Sequence, residues 1–165
     1  CDWEWNTTMD VDVLRTAIEN DLSDGLVPFF VSCSYGATGT CSCDDLVAIA
    51  EVASKHNLWL NLDAAYAGVT AICPELRNSN LIQGLSSGAF DSIIINGSKW
   101  FNTMFNNSFF WFKDRQAIAS ALNATGVYLA NRQTESGAVV DFKDYHLGLG
   151  RPFRSLKIYA TLRAF

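Results

Sequence analysis

The alternation of apolar and polar positions predicts a series of short strands separated by helices. Asp10 is placed to cap a helix whose apolar face is Leu14, Ala17, Ile18 and Leu22, and Asp24-Gly25 ends it. Pro28-Phe29-Phe30-Val31-Ser32-Cys33 is a short apolar run bounded by turn residues, which fits a buried strand. Gly36-Ala37-Thr38-Gly39-Thr40 reads as a loop. Ser42-Cys43-Asp44-Asp45 opens a second helix in the manner of a capping box, with Leu46, Ile49, Ala50 and Ala53 on its inner face. Leu58-Trp59-Leu60-Asn61-Leu62 is the next strand and runs into Asp63. Ser92-Ile93-Ile94-Ile95 is a third, followed by Asn96-Gly97-Ser98-Lys99, and Ser108-Phe109-Phe110-Trp111-Phe112 is a fourth. A helix over about 115–122 follows. Ser155 to Phe165 continues as a helix with Leu156, Tyr159 and Ala160 on one face.

Strands alternating with helices imply an α/β fold with a mainly parallel sheet flanked by helices. Sheets of this kind bind ligands beyond the carboxyl ends of their strands. Ser34, Asp63 and the segment Asn96 to Lys99 all fall at such ends. Residues 123–138 are polar and weakly periodic, the pattern of a mobile loop.

Composition narrows the class. The chain has 165 residues, 49% of them hydrophobic, enough for one sizeable core. Its formal charge of −5, from 17 acidic and 12 basic residues, argues against nucleic acid as a partner. No apolar run approaches the roughly 20 residues that span a bilayer, so no membrane partner is expected. The first residues have no signal-peptide pattern, and the expected location is the cytoplasm. The lack of an initiating Met and of a helix stop near Phe165 leads to the expectation that the chain is a fragment. Five cysteines without framework spacing point to reduced thiols. Cys41-Ser42-Cys43 lacks the spacing of a zinc knuckle, and His56 and His146 are isolated, so no metal is expected.

Asp63 and Lys99 stand out as a pair. Each follows an apolar strand, and their separation of 36 positions (99 − 63) leaves room for a crossover between neighbouring strands. An amine and a carboxylate on one sheet edge suit pyridoxal phosphate: a lysine forms a Schiff base with its aldehyde, and a carboxylate pairs with the protonated pyridine nitrogen. A fixed anion beside that nitrogen keeps it protonated, so that the ring draws electrons from Cα. Ala64-Ala65 would let a flat ring lie close to the backbone. On spacing alone, solvated or capping roles for both residues remain open.

Asp63-Ala64-Ala65-Tyr66-Ala67-Gly68 followed by Cys73-Pro74-Glu75 resembles the cofactor-strand motif of the group II pyridoxal-phosphate-dependent decarboxylases. Asn96-Gly97-Ser98-Lys99-Trp100 is similar to that family's lysine motif, usually Asn-Pro-His-Lys-Trp or Asn-Pro-Ser-Lys-Trp. Pro28-Phe29-Phe30-Val31, Gly36-Ala37-Thr38-Gly39-Thr40 and Arg151-Pro152-Phe153-Arg154-Ser155-Leu156-Lys157 resemble further family blocks in the same order. The likeness spans nearly the whole chain and is closest to the aromatic-L-amino-acid decarboxylases. It implies that residues 1–165 are part of the large domain of a fold-type I pyridoxal-phosphate enzyme, with 123–138 as its mobile catalytic loop.

The resemblance also implies site roles. Lys99 would hold the cofactor, Asp63 would pair with the ring nitrogen, Ala65 would pack on the ring and Ser34 would lie near it. Asn96 and Ser98 would help hold the phosphate, Tyr128 would protonate Cα, and Gly150 would leave room for an aromatic substrate. The parent would be a homodimer that converts an aromatic L-amino acid (DOPA, tyrosine or tryptophan type) to its amine and CO2. Two alternatives lie within the family, an aromatic aldehyde synthase and a histidine decarboxylase, with Tyr128 favouring simple decarboxylation. A non-catalytic fragment that only folds or dimerises is the alternative from another class. Gly97 in place of the usual Pro is expected to loosen the turn, and Ser98 stands where many aromatic decarboxylases have His. A nucleotide-binding domain is discounted, since Gly36 and Gly39 complete neither a Gly-x-Gly-x-x-Gly pattern nor a Walker motif.

Overall fold

The structure, a computed structural model, describes residues 7–76, 78–122, 132–150 and 152–164. The chain divides into two compact units, residues 1–113 and 114–165. The first begins with α1 (Val11–Ser23), capped by Asp10, whose carboxylate accepts from the N–H groups of Asp12 and Val13. Its four strands are β1 (Phe30–Ser34), β2 (Trp59–Asp63), β3 (Ser92–Asn96) and β4 (Ser108–Phe112). They form one sheet in the order β1-β2-β3-β4. β1 to β3 are parallel, and β4 returns antiparallel to β3. Helix α2 (Leu46–Lys55) joins β1 to β2, and α3 (Asn80–Ser86) lies between β2 and β3.

One sheet face carries the core. Cys33, Leu60 and Leu62 are buried with Ile18 of α1, Leu46, Ile49, Val52 and Ala53 of α2, and Phe90. The alternate residues on the opposite face form a polar row. Trp59 Nε1 donates to Ser92 Oγ at 2.9 Å, Ser92 Oγ to Asn61 Oδ1 at 2.7 Å, and Asn61 Nδ2 to Ser32 Oγ at 2.9 Å. These bonds tie β1, β2 and β3 together and fix their register from the side opposite α2.

Several expectations need correction. β1 is an edge strand of this sheet, and Phe30 is half exposed, so the run from Pro28 is not buried throughout. On α1 only Ile18 is buried, while Ala17 and Leu22 face solvent. Ser42 does not cap α2. Asp45 does, accepting from Ala48 N–H at 3.0 Å, because Asp44 is drawn to the strand end. The connection from β3 to β4 contains no helix, and Asn102 and Asn106, with φ of 56° and 60°, help turn the chain back.

In the second unit Asp114 accepts from the N–H groups of Gln116 and Ala117 at the start of α4 (Arg115–Leu122). A short helix α5 (Arg132–Glu135) and a single turn at Phe142–Tyr145 follow, then α6 (Ser155–Ala164). Arg115 Nε donates to Tyr145 OH, with its guanidinium over the same ring. Asp144 and Asp141 flank the Lys143 amine and hold its pKa above the ordinary lysine value, the Asp144 hydrogen bond being the main cause. On α6 the expected face, Leu156, Tyr159 and Ala160, is exposed, and Lys157, Ile158 and Thr161 are the half-buried positions. Among the described residues no helix is long and apolar enough to cross a membrane.

Candidate active site

Parallel pairing puts the carboxyl ends of β1, β2 and β3 on one edge of the sheet. Ser34 is the register partner of Asp63, and Asp63 that of Ile94, two residues before Asn96. The expected shared edge for Asp63 and Lys99 is therefore observed.

Three local structures shape this edge. Beyond β1 the chain makes a closed excursion. Tyr35 bridges Cys43, Ala37 N–H donates to Ser42 O, and Asp44 N–H donates to Ser34 O. The Asp44 carboxylate then accepts from Ser34 N–H and Met9 N–H, each at 2.7 Å, pinning the base of the excursion. Gly36 has φ +68°, and a Cβ there would lie 2.1 Å from Ala67 Cβ, so this loop rests directly on the chain that follows β2. Beyond β2, Asp63 Oδ1 accepts from Ala65 N–H at 3.0 Å, an Asx turn that fixes the carboxylate at the strand end. Buried Ala64, Ala67 and Gly68 line the turn. Beyond β3, Asn96 Oδ1 accepts from both Ser98 N–H at 2.9 Å and Ser98 Oγ at 2.8 Å. Asn96 N–H donates to Ala65 O, joining this turn to that of β2.

The excursion and the lysine turn meet. Lys99 Nζ donates to Thr38 Oγ1 at 2.7 Å. Thr38 follows β1, Lys99 follows β3, and β2 runs between those strands. The amine is thus held across the end of β2, the strand that finishes in Asp63 and leads into Ala64-Ala65. Sequence reasoning did not single out Thr38. Its only signal was its place in the loop block Gly36 to Thr40.

The remaining expected residues fall as follows. The half-buried Ser34 contributes its backbone to the Asp44 clamp and lies beside Asp63 in register. Ala65 is half-buried and pairs through its backbone. The Ser98 hydroxyl proton is directed at Asn96 Oδ1, which leaves the Asn96 amide nitrogen as the side-chain donor of this turn toward an anion. Gly150 lies in the second unit with nothing within 4 Å of where a Cβ would be. Tyr128 and Arg151 lie outside the described residues. The expected loosening at Gly97 is not observed. Its N–H donates to Asn107 O and its C=O accepts from Thr103 N–H, both at 2.8 Å, and the first of these bonds is one a proline cannot make.

A primary amine, a carboxylate, hydroxyls and an amide gather at one edge over small residues. This set fits pyridoxal phosphate, which needs an amine for its aldehyde, an anion for its ring nitrogen and room for a flat ring. The α/β sheet with its lysine at the strand ends defines a chain of the pyridoxal-phosphate class. Residues 2–165 match the family described as the pyridoxal-dependent decarboxylase conserved domain, and the chain belongs to that family. Tyrosine decarboxylase 2 of Narcissus pseudonarcissus is 41% identical over 160 residues, which are 97% of this chain and 31% of the relative. Phenylacetaldehyde synthase of Arabidopsis thaliana is 38% identical over 97% of this chain and 32% of its own length. A solved structure of Oryza sativa TDC with PLP and tryptamine superposes with a TM-score of 0.86 at 34% identity, over 96% of this chain and 31% of that one. The chain spans about a third of the length of these relatives.

Proposed function

We propose that this chain is the central, cofactor-binding part of a longer decarboxylase that converts an aromatic L-amino acid to its amine and CO2. The observation that carries the proposal is the Lys99–Thr38 hydrogen bond, which holds the amine across the end of the strand that finishes in Asp63. Pyridoxal phosphate, when bound, supplies an electrophilic aldehyde and a ring that accepts the electron pair left by the departing carboxyl group. Lys99 is the residue that would hold it, through Nζ. Asp63, held by its Asx turn, keeps a proton on the ring nitrogen, since a fixed anion raises the basicity of an adjacent base. Ala65 would leave room for the ring beside the backbone, and Ser34 would lie near it. Asn96 and Ser98 would help hold the phosphate, Asn96 through its amide nitrogen as a neutral donor and Ser98 by fixing that amide through the two bonds it gives to Asn96 Oδ1. Tyr128 hands its phenolic proton to the substrate Cα. Gly150 leaves space for the aromatic ring. The parent protein works in the cytoplasm as a homodimer.

Product analysis on the full-length protein tests this proposal with L-DOPA, L-tyrosine, L-tryptophan and L-histidine as substrates. The expected result is amine and CO2 from an aromatic substrate, and a shift toward aldehyde in Tyr128→Phe. Aldehyde and peroxide from the unaltered protein would make it an aldehyde synthase. Histamine alone would move the substrate class, and no turnover at all would leave a chain that only folds or dimerises.

A further inference from the structure

The turn that carries Lys99 is closed by two residues that have no part in the scheme above. Thr103 and Asn107 engage both peptide groups of Gly97 through their backbones, with each hydrogen bond at 2.8 Å. Their side chains then meet each other, Asn107 Nδ2 donating to Thr103 Oγ1 at 3.0 Å. Both are buried, with exposures of 2% for Asn107 and 7% for Thr103. The volume they fill is the one a side chain at residue 97 would need. A Cβ there would lie 2.5 Å from Thr103 Oγ1 and 3.2 Å from Asn107 Nδ2.

We infer that Thr103 and Asn107 are the positioning residues for Lys99, setting the direction in which the lysine leaves the sheet. This rests on Lys99 being the cofactor lysine. Glycine by itself leaves residue 97 free to rotate, and only Ser98 separates it from Lys99. The Thr103–Asn107 pair removes that freedom from outside, because any other conformation at residue 97 breaks one of the two backbone bonds or strands a buried amide. The Asn96 side chain and Asn96 O, which accepts from Lys99 N–H at 3.2 Å, complete a turn with one arrangement. Stiffness that the related motif obtains from a proline ring is supplied in this chain by two backbone hydrogen bonds, held in place by the buried hydroxyl–amide pair of the residues that make them.

The test uses the full-length protein loaded with pyridoxal phosphate. Its readouts are the pH midpoint of the bound cofactor's visible absorbance, the cofactor dissociation constant and the unfolding temperature of the apoprotein. Thr103→Val keeps shape and removes the acceptor. It is expected to weaken cofactor binding by roughly tenfold and to move the pH midpoint by about half a unit or more. Thr103→Ser is expected to restore both. A Thr103→Val protein with a lower unfolding temperature but an unchanged midpoint and dissociation constant would overturn the inference, because a purely structural pair behaves that way. Gly97→Ala gives an independent reading if Thr103→Val does not fold. It should weaken cofactor binding, and Thr103→Ala in the same chain, by removing the atom 2.5 Å away, should recover part of the loss. The absence of recovery would also overturn the inference. If the unaltered protein shows no cofactor absorbance, both this inference and the cofactor assignment fall. Normal absorbance in the unaltered protein with insensitive variants removes the positioning role alone.

Discussion

Gly36→Ala is the smallest change expected to disturb the site without touching a polar group in it. Two costs combine. Residue 36 has φ +68°, where an L-residue is disfavoured by about 1–2 kcal/mol. The added Cβ would also lie 2.1 Å from Ala67 Cβ and 3.4 Å from Ala67 Cα. Carbon atoms pack best at about 3.5–4 Å, so loop and turn must separate by more than an ångström, a strain of about 1–3 kcal/mol. The sum, about 2–5 kcal/mol, lowers the unfolding temperature by roughly 8–20 °C for a unit of this size. Thr38 is two residues further on, so the separation also breaks its 2.7 Å contact with Lys99. Thermal unfolding and the rate at which pyridoxal phosphate is fixed to Lys99 by borohydride should therefore fall together. Ala67→Gly in the same chain should return the steric part and leave the conformational part. Unchanged stability and unchanged fixation in Gly36→Ala would refute the packing of this loop on the turn after β2.

Asp63→Asn keeps an acceptor for Ala65 N–H and removes only the charge. The fold should survive while decarboxylation drops about a hundredfold or more, read as kcat with apoprotein stability as the control. Burial, with Asp44 adding to it, pushes the Cys33 thiol up to about 12. Near neutral pH, iodoacetamide should modify exposed Cys41 and Cys43 well before Cys33, as mass mapping of partly alkylated protein would show. Because the folded pKa is raised, the contribution of Cys33 to stability is complete below the unfolded value near 9 and is lost as pH rises toward 12. Denaturation midpoints across that window should fall, and should fall less in Cys33→Ala.

Much of this architecture could be read from the chain because local signals agreed. Asp10 and Asp24 bound α1, the spacing of Leu46, Ile49, Ala50 and Ala53 defined the inner face of α2, and each apolar run became a strand. The edge shared by Ser34, Asp63 and Lys99 followed from strand order, which parallel pairing fixed. Long-range facts were not legible. Thr38 meets Lys99 across 61 positions, and nothing local marks it. Helix α3 escaped notice because Gly84 interrupts its pattern, yet that glycine lies close to Leu46 and Phe90, allowing α3 to approach α2. The firmness of the Gly97 turn was invisible because it depends on Thr103 and Asn107, which look like ordinary loop residues until β4 folds back antiparallel. Exposed Leu22, Tyr159 and Leu156 show that an apolar stripe specifies a helix without specifying what lies against it.

Borohydride reduction of the full-length protein with bound pyridoxal phosphate, followed by peptide mass mapping, tests the role of Lys99 most directly. The expected result within this chain is one pyridoxyl group, on Lys99, with Lys55, Lys113, Lys143 and Lys157 unmodified and the label lost in Lys99→Ala. Label on any of those four lysines with Lys99 bare, or label retained in Lys99→Ala, would contradict the assignment.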